Sequence, residues 1–171
     1  MGNFSLTYLD LLMHLQDSAS YFMHLAFKQA LEAYKLDEVP VGAIVVKNKI
    51  IVGTGYNQVI TKNSVSSHAE INAINNASEN LNNYRLLDCD MYVTLEPCHM
   101  CAKAIVDSRI RNLYFGALEP KTGAIVSIDN FFNHKHLNHQ VSYEHGLQQE
   151  ESSELLRGFF QSKRKLKKSI F

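Results

Sequence analysis

Cysteine is scarce in this chain, and its placement narrows the possibilities more than any other feature. Of three cysteines in 171 residues, two stand three apart, Cys98 and Cys101. On a helix that spacing turns both thiols the same way, one turn apart. A second short run, His68-Ala69-Glu70, lies upstream of them. Two thiolates and one imidazole make a three-ligand zinc set. Three protein ligands leave a fourth position for water, which marks a catalytic zinc rather than a closed structural one. Zinc lowers the pKa of water towards neutrality. Glu70, two residues beyond the histidine, is placed as a proton carrier beside that water rather than as a ligand.

Two rival readings start from the same cysteines. A redox Cys-x-x-Cys accounts for Cys98 and Cys101 but leaves His68-Ala69-Glu70 without a purpose. A closed structural zinc needs a fourth ligand, for which Cys89 and His99 are the nearby candidates. Cys89 reads better as the buried start of a strand, and His99 points off the Cys98/Cys101 face if that segment is helical.

The surrounding chain alternates helical and extended patterns. Ser20 is a plausible N-cap for a helix over 21–36, with Phe22, Ala26, Ala30 and Ala33 at helical spacing. Asp37-Glu38-Val39-Pro40 breaks it. Val41 to Lys47 is a continuous apolar run, expected as a buried strand, and Ile50 to Tyr56 returns as its antiparallel partner. Gly53 and Gly55 predict a bulge or the close approach of another backbone. A polar loop over 58–67 precedes a helix from His68 to Asn80. Cys89 to Leu95 is the third strand, and Pro97 suits the start of a helix over 98–108. Strands are expected over 112–116 and 140–145, with a loop over 117–130, a short helix near 129–132 and a last helix over 148–168. The fold class is α/β with a mixed sheet. One domain over 20–171 is expected, preceded by an extension, 1–19, of unassigned role whose leucines suit one face of a short helix.

A hydrophobic fraction of 46% suits a globular domain. No apolar run reaches bilayer length, and the first nineteen residues carry Asp10 and Asp17 but no basic residue, which argues against a secretory leader. An odd number of cysteines with a metal-type pair suits a reducing, cytoplasmic setting. The formal charge is zero but unevenly spread: six basic residues and no acid from Arg157 onward leave eleven basic and seventeen acidic residues in the rest. A basic tail on an acidic body points to a polyanionic partner, although cations also suit a helix C-terminus. His134, His136, His139 and His145 form no clean metal-binding spacing and are expected as packing or surface groups.

The pattern His-x-Glu…Pro-Cys-x-x-Cys is the known signature of the zinc nucleobase deaminases, and the chain resembles them there. The resemblance extends to the bacterial tRNA-specific adenosine deaminases through Pro40–Val46, Gly55-Tyr56-Asn57, Tyr92–Cys98, Ser108-Arg109-Ile110, Phe115-Gly116-Ala117, Lys121–Ala124 and Phe159-Phe160, in that family's order. It implies a cytidine-deaminase-like three-layer fold, one zinc ion per subunit held by His68, Cys98 and Cys101, and Glu70 as the catalytic proton carrier. It further implies hydrolytic conversion of adenosine to inosine at the wobble position of a tRNA anticodon loop by a homodimer. Asn57, Glu119 and Lys121 are substrate contacts that it implies; Phe160, Lys163 and Arg164 are expected contacts on a different ground, since the last helix there carries an aromatic and basic groups close together, suited to stack a base and neutralise phosphates. The chain departs from the pattern at Ser64-Val65-Ser66-Ser67, where the family carries Asp-Pro-Thr-Ala, so a looser loop is expected. It departs again at Glu119-Pro120, where Asp-Ala is usual. A guanine or nucleoside deaminase of the same fold stays open as an alternative, although a basic tail has no use there. So does a non-catalytic RNA-binding subunit, against which Glu70 argues.

Overall fold

The computed structural model describes residues 18–169; the 1–17 part of the expected extension lies outside them. The first helix, α1 (Ala19–Lys35), begins two residues earlier than the spacing predicts, because Ser18 rather than Ser20 caps it: the Ser18 side chain accepts a hydrogen bond from the Tyr21 N–H at 3.1 Å. Two strands follow, β1 (Gly42–Lys47) and β2 (Ile50–Tyr56), then α2 (Ala69–Leu81), β3 (Cys89–Leu95), α3 (His99–Asp107) and β4 (Asn112–Ala117). The short helix near 129–132 is a 3-10 turn, Phe131–Asn133. A short β5 (Ser142–His145) and the long α4 (Gln149–Ser169) complete the order.

The strands form one mixed sheet in the order β2-β1-β3-β4-β5. β1 pairs antiparallel with both β2 and β3, whereas β3–β4 and β4–β5 are parallel. The parallel pair β3–β4 is joined through α3, as such a crossover requires. Alternation along the strands divides the core between the two faces. Ala43, Val45, Met91, Val93, Leu113 and Phe115 pack with Ala69, Ala73, Ala102 and Ile105 of α2 and α3. Ile44, Val46 and Tyr92 pack with Phe22, Met23 and Ala26 of α1. On α4, Phe159 is buried and meets Tyr34 of α1 edge-on. Three layers result: helices, sheet, helices.

Both expectations for the β2 glycines hold. The β1–β2 register shifts between Val45 and Val46. A Cβ on Gly55 would lie 2.3 Å from the Ala73 N and 2.4 Å from the Ala69 O, so α2 rests directly on the strand backbone. That close seating fixes the N-terminus of α2, and with it His68 and Glu70, against the sheet.

Candidate metal centre and substrate cavity

His68 and Cys98 occupy equivalent places. Each is the N-cap residue of its helix, with extended backbone angles, and neither side chain caps its own helix. An N-cap side chain ordinarily accepts from the first turn; here both are free to turn towards each other. Cys101, one turn into α3, is fully buried and joins them. The His68 Nδ1 lies 3.7 Å from the Cys98 Sγ and 3.5 Å from the Cys101 Sγ, and the three donor atoms all lie within 4.8 Å of one another. Tetrahedral zinc, with bonds of about 2.3 Å to sulfur and about 2.0 Å to nitrogen, sets nitrogen–sulfur separations near 3.5 Å. The donor set fits.

The charges fit as well. The hydrogen bond from the Cys101 side chain, reinforced by His68 and by the Cys101 backbone N–H, lowers the Cys98 pKa to about 3 against the effect of burial. The same thiol–thiolate bond, with burial and nearby Glu70, pushes Cys101 up. The Cys98 hydrogen bond likewise raises His68. Two crowded sulfurs beside one imidazole form a donor group that a divalent cation completes. Among the described residues this is the one group of three or more His, Cys, Asp or Glu side chains close enough to hold a metal. Four further histidines have different engagements: His99 and His134 each bond Asp129, His139 bonds the Ile110 carbonyl, and His145 stacks on Phe115. Cys89 is buried in the core, as its place at a strand start predicts.

Glu70 lies in the first turn of α2 and is 4% exposed. Burial raises its pKa, against the lowering effects of its own backbone N–H and of His68. A carboxyl raised by desolvation beside a metal group is suited to move a proton. Glu70 lines a cavity of about 330 Å³ together with His68, Cys98, Asn57, Glu38 and Glu119. Asn57 follows the last residue of β2, and its N–H donates to the Val41 carbonyl at 3.0 Å, which fixes it at the cavity wall.

Five of the ten site residues suggested by sequence thus line one cavity, His68, Glu70, Cys98, Asn57 and Glu119, and a sixth, the buried Cys101, joins His68 and Cys98 in the donor group. Lys121 is exposed, and its backbone N–H donates to the Glu119 carboxylate at 3.0 Å. Phe160, Lys163 and Arg164 lie on α4 and do not line the cavity. Phe159 is buried and Phe160 is 44% exposed, the division expected of adjacent positions on one helix. Lys163 differs from a free basic group: it pairs with Asp37 and lies over the Phe159 ring, 5.3 Å from its centroid.

The loop before His68, which lacks the proline, is tied down by hydrogen bonds. The Thr61 N–H and hydroxyl both donate to Glu38, at 2.6 and 2.8 Å, and the Gln58 N–H donates to the Ser67 carbonyl at 2.9 Å. Asn72 of α2 spans the loop ends, donating to the Tyr56 and Ser67 carbonyls. The anchors are the buried Glu38, which accepts, and the half-buried Asn72, which donates.

Two glutamates hold a larger place in the structure than their sequence context suggests. Glu38 is fully buried, although its stretch reads as a helix breaker. Glu96 is 3% exposed, although Leu95-Glu96-Pro97 reads as a lead-in to α3. The available signal is a charged residue embedded in an apolar strand or strand junction. Glu96 accepts from the backbone N–H groups of Glu119, Ile125, Val126 and Ser127 at 2.7–3.1 Å, and from the Ser127 hydroxyl. Burial opposes its ionisation, but these hydrogen bonds win and lower its pKa. Loop 118–128 is thereby wrapped around a single carboxylate. Gly123 is required there, because a Cβ would fall 2.3 Å from the Glu96 carboxylate. The same loop pairs with Cys98 through Gly123 and bonds the Pro97 carbonyl through the Ala124 N–H. Glu96→Gln is expected to lower stability by about 1–3 kcal/mol, the cost of leaving a buried N–H group or hydroxyl without its acceptor; urea denaturation measures it.

The family model for the cytidine and deoxycytidylate deaminase zinc-binding region matches residues 16–117, which span both metal-binding runs. Fold and site together define a zinc-dependent deaminase. A tRNA-specific adenosine deaminase of Haemophilus influenzae is 46% identical over 147 residues, covering 85% of each chain. A solved structure from studies of A-to-I editing by tRNA:A34 deaminases superposes with a TM-score of 0.78 at 44% identity, covering 80% of this chain and 99% of that one. A guanine deaminase of Bacillus subtilis superposes less well, with a TM-score of 0.58 at 28% identity over 86% of this chain and 94% of that one. The chain belongs to the tRNA-specific adenosine deaminase family.

Proposed function

We propose that this protein converts adenosine to inosine, with release of ammonia, at the wobble position of a tRNA anticodon loop. The observation that carries the chemistry is the buried Glu70 carboxyl beside the His68/Cys98/Cys101 group at the wall of one cavity. Its volume, about 330 Å³, lies at the small end of ligand pockets and suits a single extruded base with its sugar. Zinc held by His68, Cys98 and Cys101 supplies positive charge and a water of lowered pKa. Glu70 takes one proton from the attacking water and delivers it to ring N1 as C6 is attacked; it then takes the second proton, from the hydroxyl now on C6, and passes it to the amine, which leaves as ammonia while the C6 carbonyl forms. Asn57 and Glu119 meet polar edges of the nucleotide within the cavity. An unpaired anticodon loop gives up its base at little cost in stacking and pairing.

Lys121, Phe160, Lys163 and Arg164 contact RNA outside the cavity, with Phe160 as an exposed stacking surface. Lys163 exchanges Asp37 for a phosphate on binding, which is cheap because exposed ion pairs are weak. We further propose a homodimer acting in the reducing cytoplasm, as two metal-type cysteines suggest. Deleting residues 163–171 is expected to weaken binding of an anticodon stem-loop and to flatten its salt dependence by about 0.7 in log–log slope per lost phosphate contact. A reduced melting temperature with an unchanged salt slope would instead make the tail a purely structural cover. The proposal as a whole is tested by a panel of free bases, nucleosides and an anticodon stem-loop assayed for ammonia. Release from the stem-loop alone supports it, and release from guanine alone overturns it.

A further inference from the structure

The cavity wall holds a buried carboxylate that the reaction above does not use. Glu38 follows α1 and is 0% exposed. A carboxylate taken out of water needs hydrogen bonds to replace its hydration, and Glu38 has three. One oxygen, Oε1, accepts from both the N–H and the hydroxyl of Thr61. The other, Oε2, accepts from Asn57 Nδ2 at 3.2 Å.

This last bond has consequences for the substrate. The two ends of an amide have nearly the same shape, but one donates and the other accepts. An ionised carboxylate only accepts, so it admits the NH2 end of Asn57 and repels the oxygen. Both residues line the cavity, and the Asn57 Oδ1 takes no hydrogen bond from a described residue. We propose that Glu38 is a positioning residue that locks the Asn57 amide, so that its carbonyl oxygen stands as the acceptor for a donor group, hydroxyl or N–H, of the bound nucleotide. Through Thr61 the same carboxylate fixes loop 57–67, so the rim and the amide are set together. The proposal rests on the adenosine reading above.

Glu38→Gln separates orientation from packing. The oxygen of the introduced glutamine stays with the two Thr61 donors, and its NH2 then faces Asn57, which must turn its own oxygen inward and present NH2 to the substrate. In zinc-loaded protein, kcat/KM on an anticodon stem-loop falls roughly 10- to 100-fold, the size of one inverted hydrogen bond, with zinc content unchanged. Adding Asn57→Asp restores an acceptor: the introduced glutamine donates to one oxygen of the introduced aspartate, and the other oxygen faces the substrate. The double variant recovers about tenfold or more over Glu38→Gln alone. If Glu38 only held Thr61 or filled space, the second substitution would deepen the loss, and that result overturns the proposal. Should Glu38→Gln fail to fold, side-chain amide exchange in the wild type decides: one slowly exchanging Asn57 proton is expected, and two freely exchanging protons overturn it. Inosine from the wild type with no recovery in the double variant overturns this proposal alone; no inosine from the wild type overturns the adenosine reading and this proposal with it.

Discussion

Glu70→Ala is expected to lower deamination roughly 10²–10⁴-fold, the usual worth of a positioned acid–base group, while zinc stays at one ion per chain. The expectation follows from where Glu70 sits. Its backbone belongs to the first turn of α2, whereas the ligand His68 stands at the N-cap position just before that helix. The His68 Nδ1 and the two sulfurs already stand at the separations that one tetrahedral ion sets, without a carboxylate oxygen. Glu70 is therefore free to move protons. Glu70→Gln keeps the shape and removes the transferable proton, so it should be nearly as inactive as the alanine variant. Metal analysis by atomic absorption, run beside the activity assay, separates the roles. Zinc lost from either variant would make Glu70 a ligand and overturn the assignment.

The second large effect concerns the thiols. Cys98→Ala and Cys101→Ala should each lose zinc and all activity, because two remaining ligands hold the ion poorly. They should also lose the stabilisation that a bound ion gives the folded state, about 2.7 kcal/mol when free zinc is a hundredfold above its dissociation constant. Adding zinc should raise the melting temperature of the metal-stripped wild type and leave these two variants unmoved. Cys89→Ala is the control. Its thiol packs in the core cluster at the start of β3 and donates to the Leu87 carbonyl at 3.7 Å. It should keep zinc and activity and lose only about 1 kcal/mol of packing and a weak hydrogen bond. Zinc loss in Cys89→Ala would restore the closed four-ligand reading.

What is legible in the sequence follows from local rules. β2 and β3 begin and end where their apolar runs and glycines predict, and the starts of α2 and α3 shift by one residue because His68 and Cys98 are N-caps rather than helix members. The metal set is legible because three donors of scarce type stand at fixed offsets from two helix starts. Glu38 and Glu96 are not, because their partners are backbone and side-chain donors 19 to 31 residues away. No local pattern announces an acceptor that gathers a distant loop. The anchoring of the loop around Ser64-Val65-Ser66-Ser67 is hidden for the same reason: a missing proline is visible in sequence, whereas the Glu38–Thr61 and Asn72 hydrogen bonds are tertiary. Lys163 is visible as a charge, but its Asp37 partner comes only with the packing of α4 against α1.

The central claim is tested most directly on one RNA. An anticodon stem-loop with adenosines both at the wobble position and elsewhere in the loop is incubated with zinc-loaded protein. The RNA is then digested to fragments and read by mass spectrometry. The account predicts inosine at the wobble position, unaltered adenosines elsewhere, and no inosine from Glu70→Gln. An RNA whose adenosines all survive, from protein that releases ammonia from free guanine, would contradict it.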